Sequence, residues 1–99
     1  MNRTDQDLNR VYKQKPNCIS RKVEDEMVIV PIREDLADMD YLFTLNETAA
    51  FIWNHLNGRR DLAVIAELLT EEFEVDYQQA CQDVLHTISE IREFVEEKR

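Results

Sequence analysis

The chain alternates apolar and polar residues in its first half and changes to a helical spacing in its second. "CISRKVEDEMVIVPI" reads as a hairpin. Ile19 and Val23 bracket a polar strand, Glu24-Asp25-Glu26 supplies the turn, and Met27 to Val30 is a β-rich return strand. Pro31 cannot donate to a ladder, so regular pairing is expected to fail near it. "REDLADMD", residues 33–40, reads as an acidic loop, and "YLFTL" as a third strand. In it Tyr41, Phe43 and Leu45 point to one face, and Leu42 and Thr44 to the other.

From Asn46 the spacing becomes helical, with no loop in between. The first helix is expected from about Glu47 to Leu56, capped by Asn46 and stopped by Asn57-Gly58. The second spans Leu62 to Phe73 under an Asp61 cap, with Leu62, Ile65, Ala66, Leu69 and Phe73 on one stripe. Asp76 and Gln79 form a capping box for the third. Its stripe runs through Tyr77, Ala80, Cys81, Val84, Ile88, Ile91 and Val95, with Leu85 and Phe94 flanking. The order β-β-β-α-α-α predicts an α+β, winged-helix-like fold: a three-stranded antiparallel sheet packed on three helices. Residues 1–15 are polar and without clean period, so they read as a flexible N-terminal arm before a domain at 16–99.

Charge narrows the partners. The 99 residues carry a formal net charge of −9, and residues 16–99 hold eight bases against nineteen acids. That surface repels phosphate backbones and lipid headgroups, so neither nucleic acid nor a membrane is expected. No apolar run reaches the ~20 residues of a membrane span, and the N-terminus has no signal-like apolar region, so the expected location is the cytoplasm.

Candidate chemistry is thin. Asn46-Glu47-Thr48 matches a glycosylation acceptor, but a helix start explains it better. Cys18, Cys81, His55 and His86 show no metal-ligand spacing, and Cys81 lies on an apolar stripe rather than in a nucleophile's setting. One glycine cannot make a phosphate-cradling loop. No catalytic group, cofactor or metal is expected. The second and third helices could form a helix-turn-helix, but residues 71–97 carry nine acids and one base, Arg92. What remains is the third strand. An open outer edge there could take an extended peptide as a further strand, with side chains resting on the third helix. The same edge could instead pair with a second copy as a structural oligomer. Composition and spacing by themselves favour a third helix that simply completes the core.

The block from Tyr41 to Val84 resembles the PqqD family, the coenzyme PQQ synthesis protein D group of peptide-recognition domains. Leu45-Asn46-Glu47-Thr48-Ala49-Ala50, Ile52-Trp53, Asn57-Gly58, the Ile65-Ala66-Leu69 stripe with Glu71-Glu72-Phe73, and Asp83-Val84 carry the resemblance. It implies a non-enzymatic adaptor that binds the leader of a ribosomally made precursor peptide. The adaptor presents that leader to a modifying enzyme, often a radical SAM protein. It further implies peptide contacts along Asp40, Tyr41, Leu42, Phe43 and Thr44, with Cys81, Val84, Leu85 and Ile88 as groove side chains. Two departures, "REFVEEKR" at the end and "PIREDLADMDYLF" before the third strand, point to a relative serving another peptide pathway than PQQ. The alternatives are a winged-helix DNA-binding regulator and an oligomerisation domain.

Overall fold

The computed structural model describes residues 7–32 and 43–98. Two three-stranded antiparallel sheets and three full helices lie among these described residues. The strands are β1 (Val11–Gln14), β2 (Cys18–Val23), β3 (Glu26–Pro31), β4 (Phe43–Leu45), β5 (Asn57–Asp61) and β6 (Val95–Lys98). The helices are α1 (Glu47–Asn54), α2 (Leu62–Phe73) and α3 (Tyr77–Glu90). The fold is α+β and winged-helix-like. Its expected sheet has the order β2-β3-β4, and a second sheet, β5-β1-β6, accompanies it.

That second sheet corrects the reading of residues 1–15 as a mobile arm, as far as residues 7–15 are concerned. β1 is the central strand, with β5 on one side and β6 on the other. Leu8 and Tyr12 are buried in the core. Gln14 Nε2 donates to the Trp53 carbonyl at 2.8 Å, which ties β1 to α1. The charges of the N-terminal segment have partners here. Lys13 lies opposite Glu96 and its ammonium is 3.2 Å from that carboxylate; Arg10 reaches Glu97 at 3.1 Å. The cross-strand pairing is too distant in sequence for local spacing to reveal it.

The hairpin forms as its pattern predicts, one residue tighter. Val23 pairs with Glu26, leaving Glu24 and Asp25 as a two-residue turn, and Glu24 takes φ 59°. Pro31 ends β3 opposite Cys18. The three helix caps form as expected. Asn46 Oδ1 accepts from Ala49 N at 2.8 Å, Asp61 Oδ1 from Val64 N at 2.9 Å, and Asp76 Oδ1 from Gln79 N at 2.8 Å. The capping box is half made, because the Gln79 side chain donates onward to Asp83 Oδ1 at 2.9 Å.

Two boundaries differ. α1 ends at Asn54 with His55 as its cap, and Asn57-Gly58 begins β5 instead of ending the helix. α3 ends at Glu90; Arg92–Phe94 form a single 3₁₀ turn, and Val95 opens β6. The apolar spacing ran on past Glu90 because Ile91, Phe94 and Val95 are all buried, though not by a helix. Tyr77, read as part of the stripe, is 44% exposed, and Thr87, outside the stripe, is buried.

The core is continuous. Ile52 and Trp53 from α1, Ile65 and Leu69 from α2, Val84 from α3, and Ile29 and Leu45 of the sheet belong to one buried cluster. Each of these side chains is essentially removed from water, which at ~25 cal/mol per Å² makes apolar burial the main source of stability.

Gly58 sits at φ 80°, where β1 and β5 shift register. A Cβ there would lie 3.3 Å from Lys98 Cδ and 3.4 Å from Lys13 Cβ. Gly58→Ala is therefore expected to destabilise by about 1–2 kcal/mol, chiefly through left-handed strain, as read by urea denaturation. Glu74 closes α2 in the left-handed conformation, φ 53° and ψ 42°, without glycine's freedom. Glu74→Gly is expected to stabilise by about 0.5–1 kcal/mol in the same measurement.

Candidate functional site: the open edge of β4

Among the described residues β4 is an edge strand, paired with β3 on one side. The register identifies its free backbone groups. A two-residue hairpin loop is flanked by a doubly hydrogen-bonded pair, here Val23 and Glu26. Hydrogen-bonded and non-hydrogen-bonded pairs then alternate, so the backbones of Glu26, Val28 and Val30 face β2, and those of Met27, Ile29 and Pro31 face away from it. Pro31 thus removes no donor from the β2–β3 ladder. Met27 pairs with Leu45, Val28 with Thr44 and Ile29 with Phe43. Phe43 and Leu45 therefore spend their backbone groups on β3. The N–H and C=O of Thr44 point to the open side.

Side chains hold this edge in place. Leu45 is buried, and Phe43 is half-buried with its ring 5.9 Å from that of Phe94, tilted by 57°. The strand is thereby anchored to the turn that follows α3. Thr44 is exposed. Asn46 turns the chain into α1 at once, with extended backbone and a side chain already serving the helix.

Two adjoining clefts follow the open edge. One, about 460 Å³, is lined by Phe43, Thr44 and Leu45 with Glu90 across from them. The other, about 300 Å³, lies between the start of α1 (Thr48, Ala49) and Asp83, His86, Thr87 and Glu90 of α3. They share Asn46, Ala49 and Glu90, so they form one groove between β4 and α3. A larger cleft of about 610 Å³ lies between the hairpin and α1, floored by Met27, Leu45 and Ala50.

The expected helix contacts do not all meet there. Val84 is fully buried and belongs to the core. Leu85 and Ile88 line a different cleft, of about 260 Å³, with Tyr12 and Leu62. Cys81 is buried, and the Tyr77 hydroxyl bonds with its sulfur. That hydrogen bond, with burial and nearby acidic groups, pushes the Tyr77 phenol up to about 12. Asp40, Tyr41 and Leu42 lie outside the described residues, so β4 is described from Phe43 onward. The residues of α3 that do face the groove, Asp83, Thr87 and Glu90, sit two positions on from Cys81, Leu85 and Ile88, about 200° around the helix. The apolar stripe marks the face that packs; the groove is lined by the polar one. The signal available in the sequence was the polar spacing complementary to that stripe.

Among the described residues no three His, Cys, Asp or Glu side chains are placed to hold a metal ion, and no helix is long and apolar enough to cross a membrane. His55 packs its ring 4.5 Å from Phe51. Burial, and secondarily the charge of Arg60, lowers its pKa below the ordinary 6.5. The neutral ring is the form the fold favours. Its stabilising contribution is therefore present above pH 6.5 and lost as pH falls through the lowered value. Ring-proton NMR is expected to show His55 titrating below 6.5, and closer to it in Arg60→Gln.

The sequence pattern of one family, coenzyme PQQ synthesis protein D (PqqD), matches residues 26–93. The chain belongs to the PqqD family. The matched span takes in β3, the described part of β4 and all three helices, the parts that build the groove. Two solved structures share the fold with this PqqD-family chain. One is a lasso peptide synthetase B1 complexed with the leader peptide, with TM-score 0.70 and 24% identity, covering 86% of this chain and 96% of that one. The other is TbiB1 in complex with the TbiA(beta) leader peptide, with TM-score 0.69 and 20% identity, covering 85% and 94%. A comparison with curated proteins finds no match.

Proposed function

We propose that this protein is a peptide-binding adaptor of the PqqD family. It takes the leader of a ribosomally made precursor as an added strand on β4 and presents it to a separate modifying enzyme. The observation that carries the reading is the outward backbone of Thr44, open beside α3 across the groove. An extended chain in that position gains main-chain hydrogen bonds from the edge and side-chain contacts from the helix. The family assignment and the likeness to leader-bound lasso peptide synthetase B1 chains support the same reading.

On this reading the protein does no chemistry itself. It works in the cytoplasm, where precursors are made, with an enzyme partner that is a radical SAM protein in many such systems. The strand contacts extend over Asp40, Tyr41, Leu42, Phe43 and Thr44, and the helix contacts are Asp83, Thr87 and Glu90. Cys81, Leu85 and Ile88 hold the helix from behind. A DNA-binding role is disfavoured by the acids on the exposed face of α3. The test is an NMR titration with leader peptides encoded beside the gene. Saturable amide shifts at Thr44 and its neighbours are the expected result. Absence of shifts with every such peptide would count against it.

A further inference from the structure

The side chains along the groove that can carry charge are acids and one histidine. Asp25, Glu26 and Glu47 stand at the hairpin end, and Asp83 and Glu90 along α3, with His86 between them. Among the described residues no Lys or Arg lines either cleft; Lys22 lines only the adjoining cleft beneath the hairpin. Glu90 has His86 at 3.4 Å and Asp83 accepts from Gln79, but none of the five has a Lys or Arg within ion-pair distance among the described residues.

The contrast with the other sheet is informative. There Glu96 and Glu97 are matched across strands by Lys13 and Arg10. The helix ends deepen the groove's negative field. α3 ends at Glu90 with no basic residue in its last turn, and Glu47 occupies the first turn of α1. The C-terminal dipole adds to Glu90, and Glu47 offsets the positive end of α1. A strand added between β4 and α3 would lie between these two acidic groups.

We propose that the groove selects leader segments by charge. It takes an extended segment carrying Lys or Arg side chains toward Glu26 and Glu47 and toward Asp83 and Glu90, and it rejects acidic segments. This rests on the reading of β4 as a strand-addition site. Most of these acids stand exposed at the rim of the groove, so their field favours basic partners and penalises acidic ones, and it weakens as salt is added.

The test is a displayed library of random short peptides selected on the full chain, with binders measured by fluorescence anisotropy. Three proteins are compared: the native chain, Thr44→Pro, and the double variant Asp83→Asn with Glu90→Gln. The expected result is binders enriched in Lys and Arg, lost in Thr44→Pro, and weakened at least about tenfold in the double variant. Replacing their basic residues by Glu is expected to weaken binding to the native chain further. Binders that need Thr44 but are neutral or acidic, or that the double variant holds equally well, would overturn the charge selection and leave strand addition standing. Binders indifferent to Thr44→Pro would overturn strand addition, and the charge selection with it. Circular dichroism of both variants excludes misfolding as the cause.

Discussion

Thr44→Pro is expected to weaken leader binding by roughly 100-fold while the protein keeps its fold. The register places the Thr44 N–H on the open side of β4, so proline there removes nothing from the β3–β4 ladder. Phe43 precedes it in extended conformation, which a following proline requires. A bound strand, by contrast, loses one main-chain hydrogen bond and meets the ring. The forfeited bond and the peptide carbonyl left unsatisfied together cost about 3 kcal/mol, or roughly two factors of ten in Kd. Isothermal titration and thermal melting on one sample separate the two effects. Phe43→Pro is the contrasting variant. It removes a donor that β3 uses and the ring that packs on Phe94, so it is expected to lower the melting temperature as well. If both prolines left binding intact, the edge would not be the binding site.

Trp53→Ala is expected to destabilise by about 3–5 kcal/mol, the largest effect of any single truncation considered. Trp53 is completely buried at the centre of the core. Its loss opens a cavity between α1 and its neighbours and loosens the helix whose carbonyl receives Gln14. Domains of this size hold about 5–15 kcal/mol in total, so much of the variant population is expected to unfold on mild warming. Urea denaturation followed by circular dichroism reads the effect, since the chain's one tryptophan is removed by the change. A loss below 1 kcal/mol would contradict the packing described.

The parts of this fold legible in the sequence are those decided by neighbours. Asn46, Asp61 and Asp76 each cap a helix through an amide three residues on, and a short window contains everything that requires. The hairpin and its two turn residues are equally local. The β5-β1-β6 sheet was not legible, because β1 is short and its partners lie far along the chain; Arg10 and Glu97 are 87 residues apart. Opposite charges on the two segments were the available trace. For the candidate site, the edge strand could be read from alternation, whereas of the α3 positions expected beside it Val84 lies in the core and Leu85 and Ile88 line another cleft. Apolar spacing reports what packs inside, and the polar face appears only as its complement.

The placement of β1 between β5 and β6 has a consequence for how the protein is made. Val11 stands beside Lys98, so the first strand of the fold completes its ladder only with the last. During synthesis the hairpin, β4 and the helices can assemble as they emerge, but β1 waits with one side bare until residue 98 has cleared the ribosome. The half that carries β4 and α3 can therefore be in place before the half that locks the domain. Closing this contact, the most distant strand pairing in sequence among the described residues, is expected to come late in folding.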